Sequence, residues 1–140
     1  MARIIGIDYG TRRAGLATTD PMQLIATALD TLPPEELIPF LKKYMEGEEV
    51  EGIVVGEPLL EDGQPAEIHR KVMQFVSRLR EQFPGVDVFL QDERYTSKEA
   101  QAIILKSGVS KKKRRDKALV DKVSAVLILE AFMCDERGWE

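Results

Sequence analysis

Apolar residues fall in short runs whose period changes along the chain. Residues 3–9 and 14–19 are two apolar runs around a turn holding Gly10, and residues 23–32 alternate, with Ile25, Thr27 and Leu29 on one side. These patterns predict two strands joined by a tight turn and then a third strand, together an antiparallel meander. Pro33-Pro34-Glu35-Glu36 reads as a helix start, with proline in the first turn and acids at the positive end of the helix dipole. Leu37, Phe40, Leu41 and Tyr44 follow at helical spacing up to Gly47. Gly52-Ile53-Val54-Val55-Gly56 has the continuous apolarity of a central strand covered on both faces.

A loop over 57–65, with two prolines and Asp62-Gly63, precedes a helix expected over 66–82 whose stripe is Ile68, Val72, Phe75, Val76 and Leu79. Pro84-Gly85 ends it, and residues 86–90 predict a fifth strand running into Gln91-Asp92-Glu93-Arg94. Ser97 is placed to cap a helix over 98–105 that Gly108 ends, and a last helix is expected over 116–133. This order implies an α/β fold with a five-stranded mixed sheet. An antiparallel three-strand meander is joined to two parallel strands, with helices on both faces. A chain of 140 residues, 44% hydrophobic, suffices for one core, so a single domain over 1–140 is expected.

Composition narrows the setting. The lone Cys134 excludes an internal disulfide framework and fits a reducing compartment. No apolar stretch has the length of a signal peptide or a membrane span, so a cytoplasmic protein without a membrane partner is expected. The net charge of -4 argues against nucleic acid, yet its distribution does not. Residues 106–117 hold seven basic side chains and one acid, among them Lys111, Lys112, Lys113, Arg114 and Arg115. A localised basic segment can neutralise phosphates whatever the overall sign, although a charge run alone is equally a solvated loop.

The candidate chemistry is carboxylate chemistry. Asp8 ends a buried strand, where a charge is costly without a partner or a metal. Sites in open sheets lie at the carboxyl ends of strands, which brings Asp8 and the Asp92/Glu93 pair into one neighbourhood. Only one of that pair can face Asp8, because neighbouring strand side chains alternate, and spacing leaves the choice open. Asp121 shares a helix face with Ser124, Ala125, Ile128 and Phe132. Converging carboxylates repel one another, and a metal is the usual way to keep them ionised. Hard oxygen ligands favour Mg2+ or Mn2+, and no Cys or His cluster suits zinc. Two such ions can activate water and stabilise a leaving oxygen, so the set points to a metal-dependent nuclease. His69, the one histidine, reads as a surface residue because no orienting acid is placed with it. Trp139, in the polar tail, carries no assigned role.

Four motifs in order carry a resemblance: Ile5-Gly6-Ile7-Asp8-Tyr9-Gly10-Thr11 with Gly15, Ile53-Val54-Val55-Gly56 followed by Pro58, Asp92-Glu93-Arg94-Tyr95-Thr96-Ser97, and Val120-Asp121-Lys122 with Ser124-Ala125. Together they resemble the YqgF family of RuvC-like Holliday junction resolvase homologues, also described as pre-16S rRNA nucleases. The resemblance implies a ribonuclease H-like fold, with Asp8, Glu93 and Asp121 as the three acidic positions that would be catalytic and hold metal. It favours Glu93 over Asp92. It also implies that Arg94 and Thr96 adjoin the site, that Arg12 or Arg13 meets a phosphate, and that the substrate is the 5′ end of pre-16S rRNA. Glu57 and Tyr95 depart from the family's usual apolar residue and Leu, and would tune the rim of the site.

Two alternatives accompany this reading. A Holliday junction resolvase would act on branched DNA as a homodimer, and a non-catalytic RNA-binding assembly factor would keep the fold and the basic segment. The sequence shows no dimer surface, and a monomer or homodimer is expected. Asp8-Tyr9-Gly10-Thr11 also resembles the phosphate loop of actin-like ATPases and sugar kinases, which need two such domains.

Overall fold

A computed structural model describes residues 2–93 and 117–137. Strands β1 (Arg3–Asp8), β2 (Ala14–Thr19) and β3 (Ala26–Leu32) form the meander. A 3-10 turn at Pro34–Glu36 leads into α1 (Leu37–Gly47), followed by β4 (Val50–Glu57), α2 (His69–Gln82), β5 (Asp87–Asp92) and α3 (Lys117–Arg137). The sheet order is β3-β2-β1-β4-β5. β1 pairs antiparallel with β2 and parallel with β4, and β4 pairs parallel with β5. The mixed five-stranded sheet expected from the sequence is therefore present.

Side-chain alternation divides the sheet into two apolar faces. Ile5, Ile7, Leu16, Ile53, Val55 and Val88 point to one face, where Leu37 and Leu41 of α1 and Val72, Phe75, Val76 and Leu79 of α2 cover them. Ile4, Ala17 and Val54 point to the other, beneath Ala125, Ile128, Leu129, Phe132 and Met133 of α3. The buried face of α3 is thus the one that begins at Asp121 and passes through Ser124, Ala125, Ile128 and Phe132. Among the described residues, no helix is long and apolar enough to cross a membrane.

Small residues in the sheet set how closely α3 can lie. A Cβ on Gly6 would stand 2.9 Å from the Leu129 Cβ and 3.0 Å from the Ala125 carbonyl oxygen, and one on Gly15 would collide with the Asp121 carbonyl oxygen. Missing side chains on β1 and β2 therefore let the α3 backbone rest on the sheet and fix the height of Asp121.

Besides shifts of one or two residues at the ends of β4 and β5 and a 3-10 first turn before α1, three boundaries differ from expectation. β3 starts at Ala26 rather than residue 23, because Asp20 organises the preceding loop. Its carboxylate accepts hydrogen bonds from the backbone N–H groups of Leu24 and Ile25, both at 2.7 Å, and Gln23 adopts a φ of 58°. Ile25, expected within the strand on one face with Thr27 and Leu29, precedes it and is exposed. α2 starts at His69 rather than residue 66, because the Ala66 N–H donates to the Pro58 carbonyl and closes the preceding loop. α3 runs four residues past 133, with Cys134 exposed and Asp135 accepting a 3.1 Å hydrogen bond from Gln91 Nε2. The helix expected over 98–105 lies outside the described residues.

Gly15→Ala should cost about 1–3 kcal/mol in urea unfolding, as overpacking does in a closed core. Gly47→Ala, where a Cβ would meet no atom within 4 Å, should be neutral or stabilise by up to about 1 kcal/mol. Equal effects at both positions would contradict the close seating of α3.

Candidate metal and nucleic-acid site

The alternation that builds the two cores also selects between Asp92 and Glu93. Val88 lies on the α1/α2 face, so Asp92, at even spacing from it, belongs to that side and is exposed. Glu93 follows the end of β5, with its N–H donating to the Glu57 carbonyl at 3.2 Å, and carries its carboxylate to the α3 side. Asp8, in step with Ile4 and Gly6, lies on that same side at the end of β1.

Asp8 and Glu93 belong to strands separated by β4, and the residue between them is Gly56. Ile7 pairs with Val55 on one edge of β4, and Gly56 pairs with Gln91 on the other. A Cβ on Gly56 would stand 2.5 Å from Glu93 Oε2 and 2.7 Å from Ile128 Cδ1. The space of the missing side chain is filled by the Glu93 carboxylate, which there hydrogen-bonds the Asp8 side chain.

The electrostatics follow from this enclosure. Desolvation, then the Asp8 charge and the hydrogen bond to Asp8, push Glu93 up to about 9. Desolvation also raises Asp8, to about 6, with the Glu93 hydrogen bond opposing the rise and the Asp121 charge adding to it. Burial and mutual repulsion thus push both carboxyls towards the protonated form, and without metal the pair favours holding a proton over carrying two charges.

Asp121, in the first turns of α3, adds its charge to the field on Asp8 and has a partner of its own. Arg13 Nε donates to Asp121 Oδ2 at 2.8 Å. Arg13, expected to meet a phosphate, is thus found on a carboxylate, while Arg12 is exposed in the same turn. One turn beyond Asp121, the Ser124 hydroxyl is buried without a hydrogen-bond partner among the described residues. Arg94, Thr96, Lys111, Lys112, Lys113, Arg114 and Arg115 lie outside the described residues.

A second pair beside the site differs from the sequence expectation. Glu57 Oε2 lies 2.9 Å from His69 Nε2, so His69 does have an orienting acid, supplied by the end of β4 twelve positions earlier. Only the pairing of strand end with helix start reveals it. Gly56 likewise reads, in the sequence, as part of an apolar run, although its position between Asp8 and the Asp92/Glu93 pair is a signal that could mark it as a gap.

Among the described residues, no three His, Cys, Asp or Glu side chains stand together as a metal-holding group. The donor set nevertheless fits a hard dication. Two carboxylates share one proton in a space left by a glycine, a third acid contributes to the field on Asp8, and an orphaned hydroxyl lies one turn away. A hard dication at this place would offset the charge that the two carboxylates cannot both carry.

Both Asp8 and Glu93 bind a proton more tightly folded than unfolded, so their contribution is fully present below their ordinary values near pH 4 and is lost as pH rises through about 6 and about 9. The metal-free protein should lose stability towards alkaline pH, by up to about 1.4 kcal/mol per pH unit for each proton released. Glu93→Gln should flatten this dependence between pH 6 and 9 in urea titrations with EDTA. A parallel slope in the variant would contradict the shared-proton geometry.

Comparison with known proteins places the chain in a family. The family model described as "RuvX: Holliday junction resolvase" matches residues 2–135. A Flavobacterium johnsoniae protein named "Putative pre-16S rRNA nuclease" is 44% identical over 137 residues, covering 98% of this chain and 99% of its own. One of the same name from Phocaeicola vulgatus is 44% identical over 133 residues, covering 95% and 96%. In fold, the chain is similar to T. thermophilus RuvC in complex with a Holliday junction substrate, with a TM-score of 0.58, 18% identity and 96% of each chain covered. The YqgF motifs, the ribonuclease H-like sheet and the near full-length match lead to one assignment: the chain belongs to the RuvX (YqgF) family.

Proposed function

We propose that this protein is a metal-dependent nuclease that hydrolyses phosphodiester bonds in the 5′ extension of pre-16S rRNA. The observation that carries this reading is the Asp8–Glu93 pair meeting across Gly56 within the field of Asp121. A family can keep its fold and lose its chemistry, but a buried acid pair is costly to maintain without a task. The names of the relatives supply the class of substrate, and a glycine-made space between two carboxylates is suited to the chemistry.

Asp8, Glu93 and Asp121 would hold Mg2+ or Mn2+, hard cations that take oxygen ligands. Bound there, the metal supplies an activated water and neutralises charge developing on the phosphate. The residues of the chain perform the remaining work. Gly56 leaves the room that the Glu93 carboxylate occupies on the α3 side of the sheet, near Ile128. Arg12, exposed in the turn after β1, and Arg13, once it leaves Asp121, would receive phosphate oxygens at the mouth of the site. Arg94 and Thr96 closely follow Glu93 in sequence and would adjoin the site. Lys111, Lys112, Lys113, Arg114 and Arg115 precede α3 and would bind backbone phosphates beside the acids, giving position rather than sequence readout.

Asp8→Asn should lower cleavage of an RNA bearing the precursor 5′ extension by roughly a hundredfold or more, the scale of losing a transition-state charge stabiliser, while binding at low salt is retained. Unchanged cleavage would remove the site. Cleavage of a four-way DNA junction but not of the RNA would move the activity to the resolvase class. RNA binding without metal-dependent cleavage of either substrate would make the protein a binding factor.

Neutralising the five basic residues 111–115 should reduce the log-log salt dependence of RNA binding by roughly 0.7 for each phosphate that is no longer neutralised. An unchanged slope would assign that segment to the solvent.

A further inference from the structure

The Arg13–Asp121 ion pair joins residues 108 positions apart, and the packing holds both ends in place. A Cβ on Gly10 would collide with the Arg13 carbonyl oxygen, and one on Gly15 with the Asp121 carbonyl oxygen. The turn between β1 and β2 is therefore folded tightly around Arg13, and α3 is pressed against the strand that follows it. The guanidinium reaches Asp121 from a backbone that has little freedom to carry it elsewhere.

This contact sets two ligands in competition. A guanidinium hydrogen-bonded to a carboxylate lowers the attraction of that carboxylate for a dication and repels the ion directly. A phosphodiester offers the same guanidinium planar, charge-assisted acceptors of comparable quality. Side-chain exposures of 38% for Arg13 and 21% for Asp121 leave the pair open to solvent, so it is exchangeable rather than locked.

We propose that Arg13 is a positioning residue that exchanges Asp121 for a substrate phosphate, so that nucleic acid binding releases the third carboxylate to the metal. Metal and nucleic acid then bind with positive coupling, and each raises the affinity of the other by the same factor. Without substrate, Asp8 and Glu93 remain the available pair and the ion is held weakly. This inference rests on the metal-dependent nuclease reading and adds to it an order of assembly.

The test is Mn2+ affinity of the full chain, read from the free Mn2+ resonance by electron paramagnetic resonance, with and without saturating short single-stranded RNA whose integrity is checked afterwards. For the unmodified protein, RNA should tighten Mn2+ binding roughly fivefold or more, within the usual range of site-to-site coupling. Arg13→Gln and Arg13→Ala should each bind Mn2+ several times more tightly than the parent when RNA is absent, and RNA should add little. Arg13→Lys, which keeps the charge, should restore part of the coupling. Two variants of different size guard against a local disturbance of the turn, since both should behave alike.

The proposal is overturned if both neutral variants bind Mn2+ no more tightly than the parent, or if RNA tightens Mn2+ binding equally in all proteins. Coupling without any RNA cleavage in Mn2+ would leave the Arg13 exchange standing and remove the nuclease reading. Asp8-dependent cleavage without coupling would remove only the exchange.

Discussion

The arrangement of this protein depends on the absence of one side chain. At Gly56 the central parallel strand leaves a space that the Glu93 carboxylate fills, between the ends of β1 and β5. Two acids brought that close, and partly withdrawn from water, cannot both ionise without a counter-charge. A shared proton is the metal-free solution. A hard dication between the two carboxylates would be the other.

The same economy of side chains governs the third acid. Gly6 and Gly15 allow α3 to settle on the sheet at backbone distance, and Asp121 is carried with it. The apolar face of α3, from Ala125 to Met133, supplies the adhesion, while its first turns overhang the carboxyl end of β1. Core packing and site geometry are therefore one problem here. A change that lifts α3 by the size of a methyl group would alter the charge around Asp8 before it unfolded the domain.

Much of this was legible in the sequence. The continuous apolar runs and the helical stripes specify the sheet and its covering helices, and Asp8 marks itself as the polar end of a buried strand. Strand alternation is also sufficient in principle to separate Glu93 from Asp92, but only once the end of β5 is fixed, because a shift of one residue exchanges the two faces. Contacts between distant segments were not legible. The Arg13–Asp121 and Glu57–His69 pairs depend on where a turn and a helix start come to rest, and no local pattern encodes them. Ile25 misleads for a related reason: its alternation is that of a strand, while the Asp20 carboxylate has already captured the local N–H groups for a turn.

The family match gives this chain its place among RuvX proteins, and the ribonuclease H-like sheet carries acids at its carboxyl edge. Everything proposed for that chemistry requires the space at Gly56 to be a metal site built from Asp8 and Glu93, with Asp121 joining them. Anomalous diffraction from crystals grown with Mn2+ would decide the matter. An anomalous peak in contact with the carboxylates of Asp8 and Glu93, on the α3 side of the sheet, is expected. A well-ordered site with Mn2+ bound elsewhere, and with the Asp8–Glu93 hydrogen bond intact, would refute it.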